Sequence, residues 1–310
     1  MLSEHQIQGI FVPIVTPFLP SGELDLASFE RMVTQLQTHD IQGIVLNGTT
    51  GESPTVAWEE VSTLMQSMTA ITKNRPGQEP VRGSDQNSMP IIVGVGTNDT
   101  RASARRAEMA GSMGADAVLV VTPYYSRPSQ EGIVAHYEQI AKVGVPVLAY
   151  EIPSRTGVRV DVSTMRRILD IDGVIGLKDS TGSTDFVSAL TASGNSKPVL
   201  CGEDRLFHAM LCQGASGGML ASAHVETDSF LEVYRLATEG RYSESLNTFN
   251  RLLPLIELLF RESNPAPIKW LLKQQGLLAS DTLRLPMTPI TAGLQADLGQ
   301  LLAEGPYVGK

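Results

Sequence analysis

Cysteine is nearly missing from this 310-residue chain: Cys201 and Cys212 are the only two, too few for a disulfide framework. The five histidines (His5, His39, His136, His208, His224) show neither H-x-x-x-H nor Cys/His ligand spacing, so no protein-bound metal is expected. No apolar run approaches the roughly 20 residues that cross a bilayer. The opening stretch, Met1 to Gly9, also lacks the charged-then-apolar pattern of a leader. A soluble, cytoplasmic protein with no membrane partner is therefore expected. Basic residues are short as well: 24 Lys+Arg stand against 33 Asp+Glu, a net charge of -9. That argues against a nucleic-acid partner, which needs a basic surface to displace counterions. Aromatics make up only 5%, but 42% hydrophobic and 18% charged residues are enough for a full core and exclude a disordered chain or a coiled coil.

What is present is a rhythm. Short apolar runs rich in β-branched residues recur eight times, at Gly9 to Val15, Gly43 to Leu46, Ile91 to Val95, Ala117 to Val121, Val145 to Tyr150, Val174 to Lys178, Val199 to Gly202 and Gly217 to Leu220. Between them lie longer stretches, such as Leu26 to His39, Thr100 to Met113, Gln130 to Val143 and Val162 to Asp170, with apolar residues at three- and four-residue intervals. Continuously apolar strands are buried on both faces, as in a parallel sheet covered by helices. Eight repeats predict an α/β fold of the closed (β/α)8 (TIM) barrel type. The rival is an open doubly wound sheet, whose nucleotide-binding forms need a Gly-rich first turn. Gly94-Val95-Gly96 begins such a pattern, but Asp99 holds the third glycine position, and no phosphate-loop motif occurs.

Strand signals stop after Leu220, and the remainder reads as helix punctuated by Pro254, Pro265, Pro267, Pro286 and Pro289. The expected organisation is a barrel over residues 1–224 and a C-terminal helical extension over 225–310. The polar stretch Lys73 to Pro90 reads as a long connection on the N-terminal side of strand 3, away from the catalytic face of a barrel.

Catalytic groups of such barrels sit at the C-terminal ends of the strands. Strand 2 ends in Asn47-Gly48-Thr49-Thr50-Gly51-Glu52-Ser53, strand 4 in Thr122-Pro123-Tyr124-Tyr125, strand 5 in Tyr150 to Gly157, and strand 6 in Lys178-Asp179. Lys178 follows the apolar run Val174 to Leu177. Desolvation there favours the neutral amine that attacks a carbonyl, although a strand-end lysine can equally snorkel outward or pair with a carboxylate. The Gly48 to Ser53 turn offers backbone N–H groups and hydroxyls to a small carboxylate, or is an ordinary turn. Tyr124 and Tyr125 are core aromatics or proton shuttles. Arg155 grips a second carboxylate or is merely solvated. Cys201, beside Gly202, reads as a structural thiol or a pocket liner.

The ordered set Gly48 to Ser53, Val121 to Tyr125, Tyr150 with Pro153 to Gly157, and Gly176-Leu177-Lys178-Asp179 resembles the dihydrodipicolinate synthase family of pyruvate-dependent class I aldolases. The resemblance continues through Glu262 to Pro265, Lys269-Trp270 and Thr282 to Met287. It implies that Lys178 forms an imine with pyruvate, whose carboxylate is held by Thr50 and the loop backbone at Gly48. It further implies a proton relay of Tyr150, Thr49 and Tyr125, the last reaching in from a neighbouring subunit of a homodimer or homotetramer. Arg155 would bind the carboxylate of L-aspartate 4-semialdehyde, and Gly202 and Met219 would border the pyruvate site. The product would be 4-hydroxy-tetrahydrodipicolinate, on the route to diaminopimelate and lysine, with no cofactor or metal required. Relatives such as N-acetylneuraminate lyase and keto-deoxy sugar acid aldolases share the lysine chemistry, and Arg155 distinguishes this chain from them. A non-catalytic ligand-binding homologue is the other alternative. Three features depart from the family pattern. Glu151 stands where many members have asparagine and is placed to affect the relay or the second substrate. Met219 stands where isoleucine is usual, and the insertion at 75–89 is longer than usual.

Overall fold

The eight apolar runs become eight parallel strands: β1 (Gly9–Pro13), β2 (Gly43–Leu46), β3 (Ile91–Gly94), β4 (Ala117–Val121), β5 (Val147–Glu151), β6 (Val174–Asp179), β7 (Val199–Cys201) and β8 (Gly217–Met219). The computed structural model describes residues 1–72 and 88–304; most of the Lys73 to Pro90 connection, and residues 75–87 of the insertion, lie outside the described residues. Each strand pairs with the next, and β8 closes on β1 through Gly9↔Gly217 and Phe11↔Met219. The α/β barrel expected from the sequence is thus the fold.

Closure sorts side chains by strand parity. Phe11, Val45, Ile92, Leu119, Leu148, Tyr150, Leu200 and Met219 fill the barrel interior, together with Leu2 and Ile7 of the N-terminal segment. A larger core, including Val12, Ile44, Leu46, Val93, Val118, Ala149 and Leu177, lies between the strands and the surrounding helices. Those helices are α1 (Leu26–Gln37), α2 (Trp58–Thr72), α3 (Thr100–Ser112), α4 (Gln130–Ala141), α5 (Pro153–Thr156), α6 (Val162–Leu169), α7 (Asp185–Ala192) and α8 (Phe207–Cys212). Local signals start several of them. Asp25 caps α1 by accepting from Ser28 N at 3.0 Å, Asp99 caps α3 through Arg101 N, and Ser129 caps α4 through Gly132 N.

The tail forms α9 (Thr227–Thr238), α10 (Tyr242–Leu259), α11 (Ala266–Gln274) and α12 (Ala292–Glu304). α9 packs on β1 and α10, and Ser245 Oγ donates to Val233 O at 2.8 Å to join α9 and α10. Pro254, read as punctuation in the sequence, lies inside α10 without ending it. The helix loses the internal bond to the carbonyl of Asn250, an exposed residue, and continues.

His224 is buried just after β8, its Nε2 has no hydrogen-bond partner among the described residues, and burial pushes its pKa down to about 4. A histidine in the unfolded chain titrates near 6.5. As pH falls, the unfolded state therefore gains a proton that the folded state refuses. The stability is present above about pH 6.5 and is lost as pH falls toward the folded value. Between pH 7 and pH 5, His224→Leu is expected to lose about 2 kcal/mol less stability than the parent, as read from urea unfolding. Equal acid sensitivity of the two proteins would contradict this.

Candidate active site

Tyr150 and Lys178 are register partners on β5 and β6. Both are buried, and the Lys178 Nζ sits over the Tyr150 ring, 4.2 Å from its centroid. The floor of the site is thus an amine held against an aromatic face in the mouth of the barrel. Space for the lysine chain comes from Gly202, just after β7. A Cβ built there would lie 2.8 Å from Lys178 Cε and still closer to Ser180 Oγ. Only a residue without a side chain lets the lysine lie in this channel. Ser180 is buried and its hydroxyl has no partner among the described residues. Asp204 joins the ends of β7 and β8 by accepting from Ser222 N at 2.6 Å and Ala221 N at 3.4 Å. Burial raises its carboxyl above the usual carboxylate range.

The loop after β2 is shaped by two residues in the left-handed region, Asn47 (φ 57°) and Glu52 (φ 56°). Each conformation costs on the order of 1 kcal/mol for a residue with a Cβ, offset by the side chain's own bonds. Asn47 Nδ2 donates to Gly94 O at 2.8 Å, and Thr16 Oγ1 donates to Gly51 O at 2.7 Å. The Glu52 carboxylate is wholly buried. It accepts from Lys269 Nζ on α11 and, at 3.2 Å, from Arg284 N. Lys269 Nζ also donates to Thr282 O at 2.8 Å, and both it and the Arg284 guanidinium lie over the Phe18 ring. Burial pulls the Lys269 pKa down to about 8, against the opposing pull of Glu52. Arg284 continues outward to a two-pronged pair with Glu60. Within the loop, Thr50 is buried, and its Oγ1 accepts from Asn264 Nδ2 at 3.0 Å.

A cavity of about 680 Å³ opens above this floor, bordered by Gly48 and Thr49 from the β2 loop, Tyr124, Tyr150, Arg155 and Asn264. Arg155 is on the exposed rim, carried by α5, the short turn that follows β5. Among the described residues no cluster of His, Cys, Asp or Glu could hold a metal ion, and no helix is long and apolar enough to cross a membrane.

Residues 6–304 match the profile of the Dihydrodipicolinate synthetase family. The chain belongs to this family. It is 33% identical over 299 residues to the 4-hydroxy-tetrahydrodipicolinate synthase 2 of Clostridium acetobutylicum, covering 96% of this chain and 100% of that one. Among solved structures it resembles the chloride-inhibited dihydrodipicolinate synthase of Acinetobacter baumannii in complex with pyruvate (TM-score 0.90, 33% identity, 97% of this chain and 100% of that one). It also resembles a monomeric dihydrodipicolinate synthase variant (TM-score 0.90, 32% identity, 98% of each chain).

The family's site residues fall into three groups in this fold. Gly48, Thr49 and Tyr150 border the cavity; Lys178 lies over the Tyr150 ring with Gly202 beside its chain, Thr50 is buried against Asn264, and Met219 is in the interior core. Arg155 is at the rim. Tyr125 is not brought to the site of its own chain: it has φ 69° and is 90% exposed.

One expectation is revised. Glu151 faces away from the cavity, because strand alternation sends it outward where Tyr150 points in. Its carboxylate accepts from Thr122 Oγ1 at 2.8 Å and Val160 N at 2.9 Å, and it is fully buried. Burial raises its pKa, as it does that of its register neighbour Asp179. Glu151 therefore cannot contact a second substrate. Cys201 takes the structural one of its two readings: it lies in the layer between strands and helices, with its thiol pKa raised by burial.

Sequence reasoning assigned no role to Asn264, Glu52, Lys269 or Arg284. For Lys269 a signal existed: a cation flanked by Ile268, Leu271 and Leu272 on a buried stretch of helix must have a buried partner.

Proposed function

We propose that this chain condenses pyruvate with L-aspartate 4-semialdehyde to 4-hydroxy-tetrahydrodipicolinate, the reaction for which its curated relatives are named. The observation that carries the reading is the buried Lys178 amine over the ring of Tyr150, which borders a cavity that Arg155 also lines.

The Lys178 amine attacks the keto carbon of pyruvate, and loss of water gives the imine. The imine withdraws electrons, so a methyl proton is lost and an enamine forms. The enamine carbon bonds to the aldehyde carbon of the second substrate, and the aldehyde oxygen takes up a proton. The second substrate's amine then attacks the imine carbon and expels Lys178 as the ring closes. No cofactor or metal enters this sequence. Thr50 and the backbone at Gly48 hold the pyruvate carboxylate, with Gly202 and Met219 bounding the site. Tyr150, next to the amine, gives and takes the protons of imine formation and passes them through Thr49. Tyr125 completes the relay in a neighbouring protomer, a reading supported by its exposure. The assembly is accordingly a homodimer or a homotetramer of such dimers, working in the cytoplasm.

The test is a direct assay with pyruvate against L-aspartate 4-semialdehyde and a panel of sugar aldehydes. Turnover only with the semialdehyde is expected; preference for a polyol aldehyde would overturn the assignment. Arg155→Ala should raise the KM for the semialdehyde about 10- to 100-fold, a loss of one charge-assisted pair at a partly exposed site, and leave pyruvate trapping unchanged. Equal loss of trapping would mean that the α5 turn only supports the fold.

A further inference from the structure

The tail of the chain reaches into the catalytic mouth. Asn264 lies in the segment joining α10 and α11, borders the cavity, and donates from Nδ2 to Thr50 Oγ1 at 3.0 Å across 214 residues of sequence. Its Oδ1 is buried with no partner among the described residues. A hydroxyl has one hydrogen and two lone pairs. When Asn264 supplies a hydrogen to one lone pair of Thr50, the hydroxyl hydrogen is left to point elsewhere. Both Asn264 and Thr49, the residue before Thr50, border the cavity, so an anion held there by the loop is the acceptor within reach of that hydrogen.

The same end of the tail is locked to the same loop by a second set of contacts. Glu52, two residues beyond Thr50, accepts from Lys269 Nζ and Arg284 N, and Arg284 also donates to Thr55 O at 2.7 Å and to Glu60. Lys269 stands five residues after Asn264, so one short stretch of tail holds both Thr50 and Glu52. The buried ion pair fixes the spacing between tail and loop, and Asn264 uses that spacing to orient a single hydroxyl.

We propose that Asn264 is a positioning residue that acts through Thr50: it turns the Thr50 hydroxyl into a donor aimed at the pyruvate carboxylate, with the Glu52–Lys269–Arg284 cluster holding tail and loop in register. This rests on the reading of Lys178 and Thr50 given above. It makes the C-terminal extension part of the pyruvate site and leaves the second substrate, held at the rim by Arg155, outside its reach.

The experiment is a double-mutant cycle on the full-length protein with Asn264→Ala, Thr50→Val and the two combined. The first readout is the pyruvate concentration that half-saturates borohydride trapping; the second is the steady-state KM of each substrate. Asn264→Ala is expected to raise half-saturating pyruvate about tenfold, the worth of one hydrogen bond to a charged group, and to leave the KM for the aldehyde within twofold. Added to Thr50→Val it should change nothing further, because the hydroxyl it orients is gone. Asn264→Asp keeps the size and offers only acceptors, so the Thr50 hydroxyl turns to it and the pyruvate loss is at least as large. It serves the same purpose if the alanine variant fails to fold. Additive effects in the cycle, or equal shifts for both substrates, would overturn the proposal and leave Asn264 a packing residue. Failure of the unmodified protein to trap pyruvate on Lys178 would instead overturn the reading of the site itself.

Discussion

Lys178→Arg is expected to abolish trapping of a reduced pyruvyl adduct by borohydride and to lower turnover by a factor on the order of 10³ or more. The reason is chemical. A guanidinium stays protonated at any working pH and cannot condense with a ketone, while its size and charge suit the channel beside Gly202 closely enough to keep the fold. Peptide mapping of the trapped parent should place the adduct on Lys178. An adduct on any other lysine, or residual turnover near that of the parent, would remove the imine from the mechanism. Unfolding midpoints measured on the same samples separate loss of chemistry from loss of structure.

Gly202→Ala should damage the chemistry far more than the fold. Its Cβ would fall 2.8 Å from Lys178 Cε and nearer still to Ser180 Oγ, both inside van der Waals contact. The unpartnered Ser180 hydroxyl can rotate about χ1, but the lysine chain, met at both Cε and Cγ (3.0 Å), is displaced as well. A displacement of about 1 Å of a reacting atom costs on the order of 100-fold in rate, against only about 1–3 kcal/mol of stability for the overpacking. The rate of imine trapping should therefore fall far more than the unfolding midpoint. Ser180→Ala in the Gly202→Ala background, which removes the nearest clash, should restore part of the rate. Trapping at the parent rate would show that the lysine does not need this channel.

Legibility in the sequence followed the range of the interaction. The runs that became β2 and β4 have the same bounds in sequence and structure, because a strand buried on both faces carries its signature in four or five consecutive residues. Lys178 was legible because a cation ending an apolar run is locally odd. Glu151 was misplaced for the opposite reason. Alternation says that Tyr150 and Glu151 point to opposite sides, but which side is the cavity is settled only by barrel closure. Pro254 reads as punctuation because its missing N–H is visible in the sequence, whereas its place inside α10, on a face where Asn250 is exposed, is set by how the tail packs.

By itself the sequence determined the alternation of strand and helix, the number of units and the presence of an amine at one strand end, since each is encoded by periodicity or by a single residue out of character with its neighbours. Tertiary structure alone decided that Lys178 lies over the Tyr150 ring, that Gly202 must be bare, that Asn264 meets Thr50, and that Lys269 and Arg284 close on Glu52. Each of these joins residues from separate strands or from opposite ends of the chain. No local pattern records such a contact, because its geometry is set by the closure of eight strands and by where the tail packs once the barrel has formed.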